Sequence, residues 1–582
     1  MKRFLKYFLV LIAGFALGIV TLIIIFAVAI SSFSLNNKDV TNIEENSILT
    51  LTLPTEIKDQ GEDNPFSELF GNSDDESSLG LNQIKEAFSR ASKDSKIKGI
   101  VLMPGLYSSG LANADEIRTY ISEFKKTQKW IIAYGEIYTE QAFYIASACN
   151  ETYLNPKGML EFNGLSSNIV MYKGMLDKLG VDFQVFRVGK FKGAVEPFIQ
   201  TKLSDENKFQ IKTYLESLYT YQVQEIAKSK STSFDSLWNI AMKGDVFTAK
   251  DAKSKQLVNG LLYENEVWDV VKNKVKDYKK ISTSNYLQSE DNYTHSENKI
   301  AVIYAEGEIM PGTNNNNDGI GSESFVKELI KAKNDKSIKA IVIRVNSPGG
   351  SSMASDIIAQ EVRMTKKIKP VVVSFGNVAA SGGYYISCVA DSIFALPNTV
   401  TGSIGVFAMI ANTENLFGQK LGLGYESVNL GEMSEIWRPD QALSPAQGMM
   451  MQKAVNDIYE DFIGIVSEGR KIEKAAVNDL AQGRVYSGKD ALKLKLIDGL
   501  GGLNRALLSA SRMAKIKEYR VVEYPESKSF IDRLMNKTSN DEAKMKSLMC
   551  EMGLNSKTIS ELKAIGRMQG MQMRLPWSIE IR

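Results

Sequence analysis

Apolar runs of strand length alternate with amphipathic stretches along most of the chain, most clearly in its second half. "KIAVIYAEGEI" (Lys299 to Ile309) reads as a strand, "ESFVKELIKAKND" (Glu323 to Asp335) as a helix, and "KAIVIRVNS" (Lys339 to Ser347) as a second strand. "MASDIIAQEVRMTKK" from Met353 predicts another helix and "PVVVSFG" from Pro370 another strand. Near-continuous β-branched runs between amphipathic helices are the pattern of strands buried on both faces, which predicts an α/β fold with mainly parallel connections.

The first half repeats the second. "DSKIKGIVL" (Asp94 to Leu102) matches "DKSIKAIVI" (Asp335 to Ile343), and "YGEIYTEQAFYIASAC" from Tyr134 matches "FGNVAASGGYYISCVA" from Phe375 at the same displacement. "VFTAKDAKSKQLVNGL" from Val246 likewise matches "VYSGKDALKLKLIDGL" from Val485. A steady displacement over so long a stretch predicts a tandem duplication of one domain, too large for a solenoid repeat. The expected bounds are 46–278 for the first repeat, 279–298 for a polar linker, 299–520 for the second repeat and 521–582 for a charged, Met-rich tail. That tail, which closes on "MQMRLPWSIEIR", is expected to pack on the body or on a neighbouring subunit.

The amino terminus has a different pattern. Lys2, Arg3 and Lys6 precede an uncharged run, "LVLIAGFALGIVTLIIIFAVAISSF", which ends at Phe33. About 20 apolar residues cross a bilayer, and this run is longer. Residues 1–33 therefore read as a cytoplasmic stub and an uncleaved signal anchor, and 34–45 as a linker. The basic residues ahead of the span place the body on the extracytoplasmic side. The alternative is a cleaved signal peptide with Ala27-Val28-Ala29 at its end, although the apolar run far exceeds the usual length of such a segment.

Composition narrows the chemistry. Lys+Arg 70 against Asp+Glu 68 leaves no basic excess, so no nucleic-acid partner is expected. The three cysteines, Cys149, Cys388 and Cys550, form no CxxC pair, and no metal or cofactor is expected. The single histidine, His295, lies in the polar stretch "SEDNYTHSENK". Triads and metal sites that depend on histidine are therefore poorly supplied, and a hydrolase here needs another base.

Two glycine-rich turns follow strands in the second copy. "RVNSPGGSS" holds Gly349 and Gly350, whose freedom at positive φ allows N–H groups to point at an anionic oxygen. "NVAASGGYY" places Ser381, followed by Gly382, where a strand turns into a helix. Each motif alone is also an ordinary turn or helix start. Together they fit a nucleophile beside an oxyanion hole, with "TVTGSIGVF" lining the same cleft and Ser403 a weaker nucleophile candidate. The first copy has Glu140 in place of Ser381, Gln141 in place of Gly382, and Ser108 and Ser109 in place of the glycine pair. It has instead "FRVGKFKGAVEPF", with Lys190 and Lys192, where the second copy has Ser434 opposite Lys192. A site assembled between the copies accounts for this division; two unrelated losses are the alternative.

"RVGKFKGAVEPF", "VNSPGGS", "AASGGYY" and "TGSIGVF", in this order behind an apolar amino terminus, resemble the signal peptide peptidase A family, in its long form also called protease IV. The resemblance covers essentially the whole chain. It implies a tandem pair of ClpP/crotonase-like α/β domains and a Ser–Lys dyad, with Ser381 as nucleophile and Lys192 as general base. It also implies an oxyanion hole drawn from Gly349, Gly350 and Gly382, and a bowl-shaped homo-oligomer, a tetramer. The implied protein is a serine endopeptidase on the periplasmic face of a bacterial inner membrane, degrading signal peptides. A crotonase-type acyl-CoA enzyme and a catalytically inactive membrane scaffold are the competing readings.

Overall fold

The structure, a computed structural model, describes residues 43–61, 79–289, 296–313, 319–525 and 571–575 and, of the amino-terminal run, only Gly14, Gly18 and Thr21. The rest of the apolar run expected as an anchor, the sole histidine and Cys550 lie outside the described residues. Among these residues no helix is long and apolar enough to cross a membrane.

The duplicated pattern folds twice into the same layered unit. In the second copy, the strand Ile338–Ser347 pairs in parallel with Lys299–Glu306 on one side and Val371–Ala380 on the other. Successive strand residues point to opposite faces. Ile341, Ile343 and Val345 therefore join a core with Phe325 and Leu329 of the helix Ser322–Asn334 and Ile358 of the helix Ser352–Lys366. Ala340 and Val342 face Leu503, Ala506 and Leu507 of the helix Leu503–Met513. Both faces are covered, so the central run Ala340–Ile343 is apolar at every position. The first copy does the same. Ile100 and Leu102 pack with Ile84 of Leu81–Lys93 and Ile117 of Leu111–Lys125, and Val101 faces Val267 and Val271 of Glu264–Lys274.

The first sheet is parallel throughout, in the order Gly260–Leu261, Glu151–Leu160, Trp130–Tyr138, Ile97–Met103, Ser47–Thr52, Lys279–Ser282. Its last strand and the helix Thr283–Leu287 occupy residues expected as linker. The polar sequence suits an edge strand: only Ile281 of the four strand residues is buried. The second sheet likewise recruits Arg520–Tyr524, which straddles the start of the expected tail, alongside Lys299–Glu306.

A third, mixed sheet joins the copies. Asp182–Val188 of the first copy pairs antiparallel with Val406–Asn412 of the second, in register from Val188 opposite Val406 to Asp182 opposite Asn412. Next to Val406–Asn412 lies the tail strand Met571–Arg574, then Gly349–Ser351 and two short strands, Ile309–Met310 and Ile320–Gly321. Buried polar contacts lock the units further. Arg344 donates from Nε to Asp59 Oδ1 at 2.9 Å and from Nη2 to Glu116 Oε2 at 2.9 Å, both acceptors being in the first copy. Its other partners are Ser374 Oγ at 3.0 Å and the Phe375 carbonyl at 3.1 Å. A guanidinium and two carboxylates taken from water need this degree of satisfaction to be tolerated.

Candidate active site

Ser381 ends the strand Val371–Ala380 and precedes the helix Gly382–Ser387. Its backbone sits at φ 54°, ψ −114°, a region that costs a non-glycine residue roughly 1–3 kcal/mol. The surroundings hold it there. Its N–H donates to the Gly402 carbonyl at 2.8 Å, and its own carbonyl accepts from Tyr385 N–H at 2.8 Å. The result is a hydroxyl thrust out of a sharp strand-to-helix turn.

Lys192 arrives from the other copy, just before the short turn Gly193–Val195. Its Nζ lies 2.9 Å from Ser381 Oγ, 2.9 Å from the Ser403 carbonyl oxygen and 3.0 Å from Ser403 Oγ. Lys192, Ser381 and Ser403 are all fully buried. Burial alone pushes the lysine well below its ordinary pKa, with no carboxylate acting to raise it. An ammonium matches all three acceptors. A neutral amine keeps its two N–H bonds on Ser403 and turns its lone pair to the Ser381 hydroxyl. Lys190, the rival base, is exposed. Ser403 is thus a holder of the lysine, a role the sequence did not reveal although "TGSIGVF" marked the segment.

The lysine stem is seated by glycines of the second copy. A Cβ on Gly483 would stand 2.7 Å from Lys192 N, Cα and Cβ, and one on Gly405 3.2 Å from Lys192 Cδ. The Phe191 N–H donates to the Gln482 carbonyl at 2.9 Å. The lysine turn is also tied to the helix Asp205–Lys230. Glu196 Oε1 accepts from Asn207 Nδ2 at 2.7 Å and from Ser204 Oγ at 2.7 Å. Gln210 donates to the Phe191 carbonyl at 3.1 Å and accepts from Val485 N–H of the second copy at 3.0 Å. Sequence reading missed these supports; "AVEPF" holds Glu196, but its partners lie in an unremarkable helix.

The glycine turns converge beside Ser381. Gly349 adopts φ 100° and Gly350 φ 155°. A Cβ on Gly349 would stand 2.7 Å from Gly382 N, and one on Gly382 would stand 3.2 Å from Gly350 N. No side chain fits between the two turns, which brings three backbone N–H groups close together. Gly349 N–H is held by Ser347 Oγ at 3.2 Å. In the first copy, Glu140 Oε2 accepts from Asn163 and Gly164 N–H at 3.0 and 3.2 Å, filling the position with a buried carboxyl whose pKa burial lifts to about 7. Among the described residues no group of acidic, histidine or cysteine side chains is placed to hold a metal.

The model of peptidase family S49 matches residues 123–279 and 363–517, one stretch in each copy. The chain belongs to this family. The Clp protease family model also matches residues 291–402. Protease 4 of Haemophilus influenzae is 34% identical over 524 residues, covering 86% of this chain and 84% of that protein. The chloroplastic serine protease SPPA of Arabidopsis thaliana is 30% identical over 491 residues, covering 81% and 70%. Among solved structures, a point mutant of ClpP1 from Listeria monocytogenes is 18% identical with a TM-score of 0.24, covering 35% of this chain and 94% of that one. The 1510-N membrane-bound stomatin-specific protease, as a lysine-to-alanine mutant in complex with a substrate peptide, is 18% identical with a TM-score of 0.27, covering 41% and 96%. Membership makes this chain a serine peptidase built from two tandem S49 domains of ClpP-like α/β fold.

Proposed function

We propose that this S49 peptidase is a membrane-anchored endopeptidase in which Lys192 activates Ser381, and that it degrades apolar peptides such as signal peptides left in the bilayer. The observation that carries the dyad is the 2.9 Å approach of a buried, uncompensated lysine to a hydroxyl held on a strained turn. Ser381 Oγ attacks the peptide carbonyl while Lys192 Nζ takes its proton. The Lys192 proton then passes to the leaving amine, and water hydrolyses the acyl-enzyme with the lysine again as base. N–H groups of Gly350 and Gly382 receive the oxyanion, while the Gly349 N–H, also expected from the sequence, is taken by Ser347 Oγ.

The uncharged run at residues 9–33 supports attachment to a membrane with the body on the periplasmic side, within reach of such substrates. Assembly into a homo-oligomer is supported by a segment that leaves Leu421, Leu423, Tyr425, Val428, Leu430 and Trp437 exposed, more apolar surface than a lone subunit usually carries in one place. Peptide hydrolysis by the wild-type chain is the direct test. Ser381→Ala and Lys192→Ala are each expected to lower kcat/KM at least a thousandfold with melting temperatures within a few degrees of wild type. Equal rates in wild type and Ser381→Ala would reject the assignment and leave an inactive scaffold.

A further inference from the structure

Every strand of the first sheet runs the same way, so all of them start at one end of the first copy. The segments that lead into three of them, residues 91–98, 122–130 and 272–280, hold eleven lysines against three acidic residues. The chain as a whole is balanced, so this excess is local. At the other end of the same sheet the sign reverses. Residues 53–61, 139–141, 161–165 and 262–266 follow strands and hold six acidic residues against one lysine.

Helix ends account for part of this. The helices that cross between these strands run against them, so their C-termini gather where the strands start, and cations are favourable there. Lys125 and Lys129 are used in that way, donating to the Ala148 carbonyl at 2.9 Å and the Ala91 carbonyl at 2.6 Å. Lys126, Lys272 and Lys276 are not. Each is exposed and has no hydrogen bond or ion pair among the described residues. Aromatic rings lie among the lysines. Lys274 Nζ is 6.0 Å from the ring centroid of the half-buried Trp130, and the half-buried Tyr278 stacks on Trp268. Long cationic side chains beside amphipathic rings suit the headgroup layer of a bilayer. The chain also arrives at this end from the apolar run. Ile43, whose carbonyl accepts from Lys96 Nζ at 2.8 Å, stands just before the strand Ser47–Thr52. Only residues 34–42 separate it from Phe33, where the uncharged run stops. A fully extended chain gains at most about 3.5 Å per residue, so this end lies within roughly 35 Å of that point.

We propose that the lysine-rich end of the first copy rests on anionic lipid headgroups, so that the body is held to the bilayer by charge as well as by the apolar run, with the active site on the side turned away from the surface. The proposal rests on the membrane reading above and adds to it a lipid class and an orientation. The second copy docks at the acidic end. Its Asn377, four residues before Ser381, accepts from the Asn113 N–H at 3.0 Å and donates to the Ser109 carbonyl at 2.7 Å. Strands such as Ile97–Met103, seven residues long, separate the two ends by about 20 Å. A substrate therefore has to project about that far from the headgroups to meet Ser381, which favours peptides already drawn part-way out of the bilayer. Attraction between lysines and anionic headgroups fades within a Debye length, about 8 Å in physiological salt, so it acts only when this face is in contact.

The test reconstitutes the full chain in bilayers of phosphatidylcholine, either alone or mixed in equal parts with phosphatidylglycerol. Lysines are labelled with a water-soluble acetylating reagent and located by peptide mass spectrometry. Lys126, Lys272 and Lys276 are expected to label about fivefold more slowly, or slower still, in the anionic bilayer than in the neutral one, and molar salt is expected to remove the difference. Lys208, exposed at the start of the helix Asp205–Lys230, is expected to label equally in both. If the chain stays on both bilayers and the three lysines label at one rate, this inference fails while the membrane reading stands. If the chain washes off both, the membrane reading fails and this inference with it. Protection of the three lysines by an added DNA duplex, with none from the anionic bilayer, assigns the face to nucleic acid and likewise overturns the proposal.

Discussion

At Lys192, burial and function act on the same atom. In the proposed mechanism Nζ is useful only when neutral, and desolvation favours the neutral form. Protonation below its pKa removes the base, so kcat/KM is expected to rise with pH and level off above an apparent pKa lower than the ~10.4 of a free lysine. A pH–rate profile checks this, and Lys192→Arg is expected to be inactive at every pH because a guanidinium stays charged. Ser381 carries a different cost. Its φ of 54° with ψ −114° suits glycine, so Ser381→Gly is expected to abolish hydrolysis and stabilise the fold by about 1 kcal/mol, read as a rise in melting temperature. The approach of Lys192 to Ser381 was legible in the sequence by two routes: the copies could be compared, with Glu140 where a second serine belongs and no lysine opposite Lys192, and the family motif set Lys192 ahead of Lys190. Ser403 was not legible as the lysine's holder, since one of its contacts is a backbone carbonyl and the other depends on a positive φ of 51°.

The elements around the site are positioned by close backbone approach more than by side chains. The Gly483 loop presses on Lys192, and φ there is +74°. Gly483→Ala must push the lysine turn away, and a displacement near 1 Å is expected to cost about a hundredfold in kcat. Peptide hydrolysis measured beside a melting curve separates this from unfolding. The α/β layering was readable from periodicity, because strands covered on both faces carry unbroken apolar runs, such as Ala340–Ile343 within Ile338–Ser347. Edge elements were not. Lys279–Ser282 reads as linker because an edge strand with one buried side chain needs little apolar sequence. Met571–Arg574 has no local signal for its place, which depends on partners far earlier in the chain.

At the scale of the whole molecule, neither repeat contains the site. One supplies Lys192, the proposed base, and the other supplies Ser381, the proposed nucleophile, and the glycine turns. Arg344 holds them together from the middle of the second sheet. Arg344→Ala would leave Asp59 and Glu116 buried without their cation, and a loss of about 3–5 kcal/mol is expected. Chemical denaturation measures it directly, with falling activity at the same denaturant concentrations if the copies separate as they unfold.

The third sheet also sets an order in time. A chain emerging from the ribosome presents Lys192 long before Ser381, and domains fold as they appear. The Asp182–Val188 strand, which among the described residues pairs with Val406–Asn412 alone, then waits without a strand partner until that segment arrives. Through that interval the newborn polypeptide holds the proposed base without the proposed nucleophile, and on that reading cannot digest itself or its neighbours.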